Sequence, residues 1–194
     1  MDKQEAKLLL FDIIDILEKY QIKYSLSFGT LLGAIREKNF IEDDNDVDID
    51  IFEPFWKNDI LFQKITWDLL EKDIKIHNLC YEVMNLTRKE IHLDVHYYYK
   101  KDNFYICDGG NWKFKIPEKY FNKLNILEFL GKKCYIPNNV EEFLLEFYGD
   151  TWKEKISHGD TKWGFIDCPG GIIKTVYYTS YLYIYKNIIE NEKL

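Results

Sequence analysis

Apolar residues recur every three to four positions at Leu9, Leu10, Ile13, Ile14, Ile16, Leu17 and Tyr20. That spacing predicts a first amphipathic helix over about 6–20, laid on a sheet. Tyr24 to Phe28 alternates and ends at Gly29, as a strand entering a turn does. Thr30 can cap a short helix that runs to about Arg36. Asp46 to Phe52, "DVDIDIF", alternates strictly and predicts the next strand. Pro54 opens a second helix, whose apolar stripe runs from Phe55 through Ile65, Leu69 and Leu70 to about Asp73. "IKIHN", "CYEVMNL", "IHLDVHYYY" and "NFYIC" then read as strands of hairpins, and Asp108-Gly109-Gly110 as a turn. After Pro117 come a short aromatic helix or turn, a strand "KKCYI", and a helix opened by Pro137-Asn138-Asn139 that runs to about Tyr148. The tyrosine-rich end predicts a terminal helix over about 172–194, against the pull of its β-branched and aromatic residues.

No repeat, linker or low-complexity stretch divides the 194 residues, so a single domain with an ordinary core is expected. A hydrophobic share of 46% against 30% charged residues is globular. A formal net charge of −7 argues against nucleic acid as a partner, because affinity for a phosphate backbone needs clustered Lys and Arg. Any phosphorylated ligand must therefore be held locally, by a cation, a helix N-terminus or a few placed basic groups. Cys80, Cys107, Cys134 and Cys168 lie far apart without zinc spacing and read as core thiols. The N-terminal apolar run is broken by Asp12 and Asp15, too short and too charged for a membrane span, and the chain reads as cytoplasmic.

Six acids fall within the nine residues Glu42 to Asp50. Side chains alternate along a strand, so Asp46, Asp48 and Asp50 share one face while Val47, Ile49 and Ile51 take the other. Neighbouring carboxylates on that face stand roughly 6.5–7 Å apart. Each ionised pair there costs about 2–3 kcal/mol at an effective dielectric near 20. Repulsion of that size calls for bulk water, in which case the run is a solvated strand face, or for a divalent cation. The preceding strand, glycine turn and helix start form an arrangement that aims N–H groups at a phosphate. A donor set of hard oxygens suits Mg²⁺ or Mn²⁺. Asp94 stands alone between Leu93 and Val95 and can supply a third acid; His92 and His96 share its face, as ligand-binding groups or as polar surface residues. A nucleophile elbow, a P-loop and a dinucleotide fingerprint are all missing from the sequence.

Gly29-Thr30-Leu31-Leu32-Gly33-Ala34-Ile35-Arg36, then Phe40-Ile41, then Asp44-Asn45-Asp46-Val47-Asp48-Ile49 resemble the signature of the LicD family of phosphocholine transferases, related to fukutin and fukutin-related protein. "LDVHYYY", "IPEKYF" and "IPNNVEEFLLEFYGDTW" follow in the family's order, so the resemblance covers about residues 8–153. It implies an α/β (α+β) nucleotidyltransferase-like fold, a mixed sheet flanked by helices. It also implies transfer of a phosphate-linked alcohol from a CDP-activated donor to a glycan or lipid-linked glycan, in capsule or lipopolysaccharide modification. Asp46 and Asp48 become the Mg²⁺ (or Mn²⁺) pair and Asp94 the third catalytic carboxylate. Gly29 and Thr30 become the phosphate-facing turn. Arg36, His96 and Asp150 fall at positions for substrate, with Arg36 or Lys38 set to balance charge on the nucleotide. Lipid-linked acceptors would bring the protein to the inner membrane surface, to which its net charge lends no support.

The sequence also departs from the family. Glu42-Asp43-Asp44-Asn45-Asp46 replaces a common Pro-Trp-Asp-Asp-Asp, so Glu42, Asp43 and Asp44 read as a polar loop. Asp50 stands where Gly is common, His96 stands where an aromatic or aliphatic residue is usual, and the chain is short. Two other readings stay open at this level: transfer of a nucleoside monophosphate from an NTP, and a non-catalytic subunit that binds nucleotide or glycan.

Overall fold

A computed structural model describes residues 1–110 and 112–155, and the backbone of 173–176. The first helix, α1 (Lys3–Lys19), starts where the Asp2 carboxylate accepts from the N–H groups of Gln4 and Glu5, the usual chemistry of an N-cap. It buries the stripe Ala6, Leu9, Leu10, Ile13, Ile14, Ile16 and Leu17. The order then runs β1 (Tyr24–Leu26), α2 (Phe28–Arg36), β2 (Asp46–Ile51), α3 (Asp59–Glu71), β3 (Lys75–Cys80), β4 (Val83–Arg88) and β5 (Ile91–Tyr97).

These five strands form one mixed sheet in the order β1-β2-β5-β4-β3. The central pair β2 and β5 is parallel, and every other pairing is antiparallel. Val47, Ile49, Ile51, Leu93 and Val95 are all but sealed from water on one face. Helix α1 packs on β2 and β5, and α3 lies beside α1. Arg88 ties this layer to the sheet's hairpin edge: its Nε lies 2.7 Å from Glu5 and its Nη1 2.5 Å from Asp12, both on α1. The opposite face carries the acids.

The remaining elements are β6 (Tyr99–Lys101), β7 (Phe104–Asp108), β8 (Trp112–Pro117), β9 (Asn125–Phe129), β10 (Lys132–Ile136), α4 (Val140–Tyr148) and β11 (Ile173–Val176). They make a second sheet, β11-β8-β7-β6, and a separate hairpin, β9-β10.

Five expectations need correction. The second helix, expected from Pro54, begins at Asp59 with Asn58 as its cap, after a 3-10 turn at Phe55–Lys57. The strand expected over Tyr24 to Phe28 stops at Leu26, and α2 begins at Phe28, whose φ of +40° turns the chain. Thr30 is consequently inside the helix and not its cap; the N-cap position belongs to Ser27, which makes no capping hydrogen bond. The Phe28 ring is held among His96, Phe114 and Phe147, and that packing holds an uncommon backbone angle. Strands β8 and β9 were not anticipated: β8 is interleaved with lysines and closes on Pro117, so its pattern is weak until β7 and β11 pair with it. Last, Ile173–Val176 at the start of the expected terminal helix pairs with β8 as a strand, the state its β-branched Ile173, Thr175 and Val176 favour. The rest of that expected helix lies outside the described residues, as does Cys168; Cys80, Cys107 and Cys134 are free thiols, the last two buried.

Candidate active site

Parallel pairing decides which acids meet. The β2–β5 register sets Asp46 beside His92, Asp48 beside Asp94 and Asp50 beside His96. Asp48, Asp94 and His96 each offer a ligand atom within 4.8 Å of the other two. Asp48 is only 7% exposed, Asp50 2% and His96 6%, so the solvated-strand alternative does not describe this face. Asp46 and Asp94 are half-buried at its margin, and His92 is exposed.

Asp48, Asp94 and Asp44 are each placed by a neighbour from a different element. The backbone N–H of Asp48 donates to Thr30 Oγ1 at 2.9 Å, which ties β2 to the first turn of α2. Asn85, opposite Asp94 on β4, donates its Nδ2 to Asp94 Oδ1 at 2.6 Å. A Cβ on Gly29 would collide with the Asp44 carboxylate, so the absent side chain makes room for that acid. Asp44 therefore belongs to the site, whereas Glu42 and Asp43 are exposed loop residues as expected. Gly29 and Thr30 are buried, and Asp44 occupies the space over Gly29 where a phosphate-facing turn was expected.

Burial and crowding act in the same direction on these carboxyls. Asp44 is pushed up to about 7 by burial, with the charge of Asp46 and a hydrogen bond to it adding to the rise. Burial raises Asp48 well above the usual carboxylate range, and the charges of Asp46, Asp94, Asp44 and Asp50 raise it further. Asp50 is raised by burial, opposed only by Ser27, whose hydroxyl makes no hydrogen bond of ordinary geometry among the described residues. Asp94 is raised by burial, with Asn85 opposing. The His96 imidazole goes the other way, lowered to about 4 by burial, and is neutral at pH 7.

Other residues singled out in the sequence are placed differently. Arg36 is engaged by Glu37 Oε1 at 2.7 Å and by the backbone oxygens of Glu154 at 2.9 Å and Trp152 at 3.4 Å, clamping α2 to the chain after α4. Lys38 Nζ donates to the Ile35 carbonyl at the end of α2. Asp150 is exposed in a short 3-10 turn at Asp150–Lys153. Its near neighbour Tyr148 is the one that faces the acids: burial raises its hydroxyl, and so do the charges of Asp48, Asp44 and Asp50, while Arg36 opposes them. In the sequence Tyr148 stands out only as part of the Tyr148-Gly149-Asp150 segment that resembles the family's, with no role of its own attached.

The donor set fits a divalent cation. Three or more carboxylates crowd a face where each ionised pair about 5 Å apart costs about 3 kcal/mol at an effective dielectric of 20. Among the described residues the N-terminal ammonium donates to the Asp44 carbonyl at 3.2 Å, and Arg36 is occupied at the far end of α2. Carboxylate oxygens such as those of Asp48 and Asp94, which lie within 4.8 Å of each other, are of the kind Mg²⁺ and Mn²⁺ take, and a bound ion would offset the repulsion.

Thr30→Val, which keeps the shape and removes the acceptor, is expected to cost about 1–2 kcal/mol, because it leaves the buried Asp48 N–H without its partner. Denaturant unfolding of the metal-free protein measures this, and unchanged stability would show that the bond does not hold β2.

Residues 21–139 match the family described as LicD/FKTN/FKRP, nucleotidyltransferase domain. Ribitol-5-phosphate transferase FKTN of Homo sapiens is 31% identical over 165 residues, covering 82% of this chain and 36% of that protein. Lipopolysaccharide cholinephosphotransferase LicD of Haemophilus influenzae is 24% identical over 241 residues, covering 77% of this chain and 91% of that protein. The chain thus spans about a third of the length of FKTN but most of LicD. Among solved structures, the antibiotic-resistance factor ANT(2'')-Ia aligns with a TM-score of 0.49 and 13% identity, over 71% of this chain and 67% of that one.

Proposed function

The chain belongs to the LicD/FKTN/FKRP family, and from that premise we propose that it transfers a phosphate-linked alcohol from a CDP-activated donor to a glycan hydroxyl, in surface polysaccharide modification. Its two named relatives move ribitol-5-phosphate and cholinephosphate, different alcohols on the same phosphate linkage. The observation that carries the reading is the pairing of Asp48 with Asp94 across two parallel strands, with Asp46 at the margin of the same face.

In this reading Asp46 and Asp48 hold Mg²⁺ or Mn²⁺, and Asp94 completes the set. The bound ion would neutralise charge on the donor diphosphate and on the leaving group. Thr30, through the Asp48 N–H, keeps β2 in register with α2. Asn85 orients the Asp94 carboxylate. The acceptor hydroxyl oxygen bonds to the phosphorus that bears the alcohol, the bond from that phosphorus to the CMP oxygen breaks, and Asp94 takes the hydroxyl proton. In the metal-free protein burial raises Asp94 above an ordinary carboxylate.

The test is intact mass spectrometry of glycan acceptors incubated with Mg²⁺ and a panel of CDP-choline, CDP-ribitol and CDP-glycerol. The expected product carries one alcohol phosphate, with one CMP released. A nucleotide left on the acceptor from CTP or ATP, with CDP-alcohols untouched, would replace this reading by nucleotidyl transfer. Binding of CDP-alcohol without any product would replace it by a non-catalytic subunit.

A further inference from the structure

The acidic face holds two groups that an all-oxygen metal site does not need. Asp50 and His96 are each more than nine-tenths buried, side by side in the β2–β5 register. Asp50 Oδ1 and His96 Nδ1 stand 3.7 Å apart, too far for a hydrogen bond, and neither atom makes one of ordinary geometry among the described residues, although the Ser27 hydroxyl lies beside Asp50 and the Ile49 backbone beside His96. Apolar side chains would fill the same space without leaving polar atoms unpaired. The His96 ring is held between Phe28, 4.6 Å away, and Trp112, 6.0 Å away, so it is presented at a fixed angle next to Asp48 and Asp94.

We propose that His96 is a nitrogen ligand of the divalent ion, joining Asp48 and Asp94, and that it shifts the site's preference from Mg²⁺ toward Mn²⁺. This rests on the metal-dependent reading above. The three ligand atoms lie within 4.8 Å of one another, and ligands on opposite sides of one ion with bonds near 2.1 Å stand about 4.2 Å apart. Side-chain adjustment is enough to close the set. Imidazole suits transition ions, whereas Mg²⁺ favours oxygen, so one nitrogen in place of a water changes selectivity. Asp50 is placed to accept the remaining ring N–H once the imidazole ligates, the carboxylate–histidine–metal arrangement that fixes the ring and raises its basicity.

The test is electron spin-echo envelope modulation of Mn²⁺ added to the metal-free full chain, with Mn²⁺ and Mg²⁺ affinities measured alongside. Wild-type protein is expected to show modulation from a directly bound ¹⁴N. His92→Ala should keep that signal, since His92 is the other imidazole near Asp46. His96→Phe, chosen for its aromatic neighbours, should lose it and weaken Mn²⁺ binding by ~10-fold or more, with a smaller change for Mg²⁺. Asp50→Asn should keep the nitrogen signal and weaken Mn²⁺ binding in the same sense. Mn²⁺ bound without nitrogen coupling in wild type overturns the proposal and leaves the carboxylate site standing. No Mn²⁺ bound at all overturns both. The wild-type spectrum decides even if His96→Phe fails to fold.

Discussion

Replacing Asp48 with alanine is expected to lower turnover by ~10³-fold or more, because an ion that supplies several kcal/mol of charge stabilisation loses its most buried oxygen ligand. The same substitution is expected to leave the metal-free protein folded and no less stable. Asp48 stands among Asp44, Asp46, Asp50 and Asp94, and its carboxyl is raised by burial first and by each of those charges after it. Removing it takes away a repulsive partner from every neighbour, which offsets the small cavity left by a few polar atoms. Mutations at conventional core positions do the opposite and cost stability. CMP release in a single turnover, measured together with thermal unfolding in chelator, separates the two effects. Turnover near the wild-type level would remove Asp48 from the metal set. A fall in melting temperature of more than about 3 °C, on the order of 1 kcal/mol for a domain of this size, would show that the carboxylate is a structural group and not a crowded one.

The alternation Asp46-Val47-Asp48-Ile49-Asp50-Ile51 was enough to predict β2 and to divide its two faces, because a period of two has only one way to bury three β-branched residues. Asp94 was legible as an acid out of place among apolar neighbours. What no local pattern carries is register. Asp94 lies 46 positions after Asp48, and it meets Asp48 and not Asp46 only because β2 and β5 run parallel with that alignment. The burial of Asp50 and His96 follows from the same alignment.

The start of α2 was misplaced for a different reason. Thr30 is a good capping residue, and local propensity alone puts it there. The tertiary structure instead turns the chain at Phe28, whose ring is packed among aromatics from three other elements, and it uses the Thr30 hydroxyl to hold β2. Asp44 looked like loop because it sits within an acidic run, and only the absent side chain of Gly29 brings it into the site. In each case the sequence held the right residue type, and long-range contacts assigned its task.

The crowding of acids also has a sign in pH. In chelator, stability is expected to fall as pH rises from 6.5 to 8, by about 2 kcal/mol for a carboxyl that stays protonated across that window and by under about 1 kcal/mol for one that titrates near 7. Asp44 is raised to about 7, and Asp48 and Asp50 well above the carboxylate range, so the folded chain holds protons that the unfolded chain has already released near pH 4. Their penalty is absent below the unfolded values, grows as pH rises from there to the folded ones, and is constant above them. His96 opposes them mainly at lower pH: its imidazole, lowered to about 4, favours the folded state increasingly as pH rises from 4 to 6.5 and adds only about 0.4 kcal/mol above that, as the unfolded imidazole loses its last protons. The ion-paired Glu5 and Asp12 are lowered, so their contribution is lost only as pH falls below the ordinary carboxylate range. The window from 6.5 to 8 therefore isolates the acidic face. Saturating Mg²⁺ or Mn²⁺ should flatten or reverse the slope, since the cation binds the deprotonated carboxylates and its affinity rises as they ionise. Urea unfolding at the two pH values, with chelator and with Mn²⁺, measures all four points. A chelated protein equally stable at pH 6.5 and 8 would mean that water or a fixed cation already satisfies these acids. An equal slope with and without Mn²⁺ would mean that the ion binds elsewhere, and the case for Asp46, Asp48 and Asp94 as its ligands would fall with it.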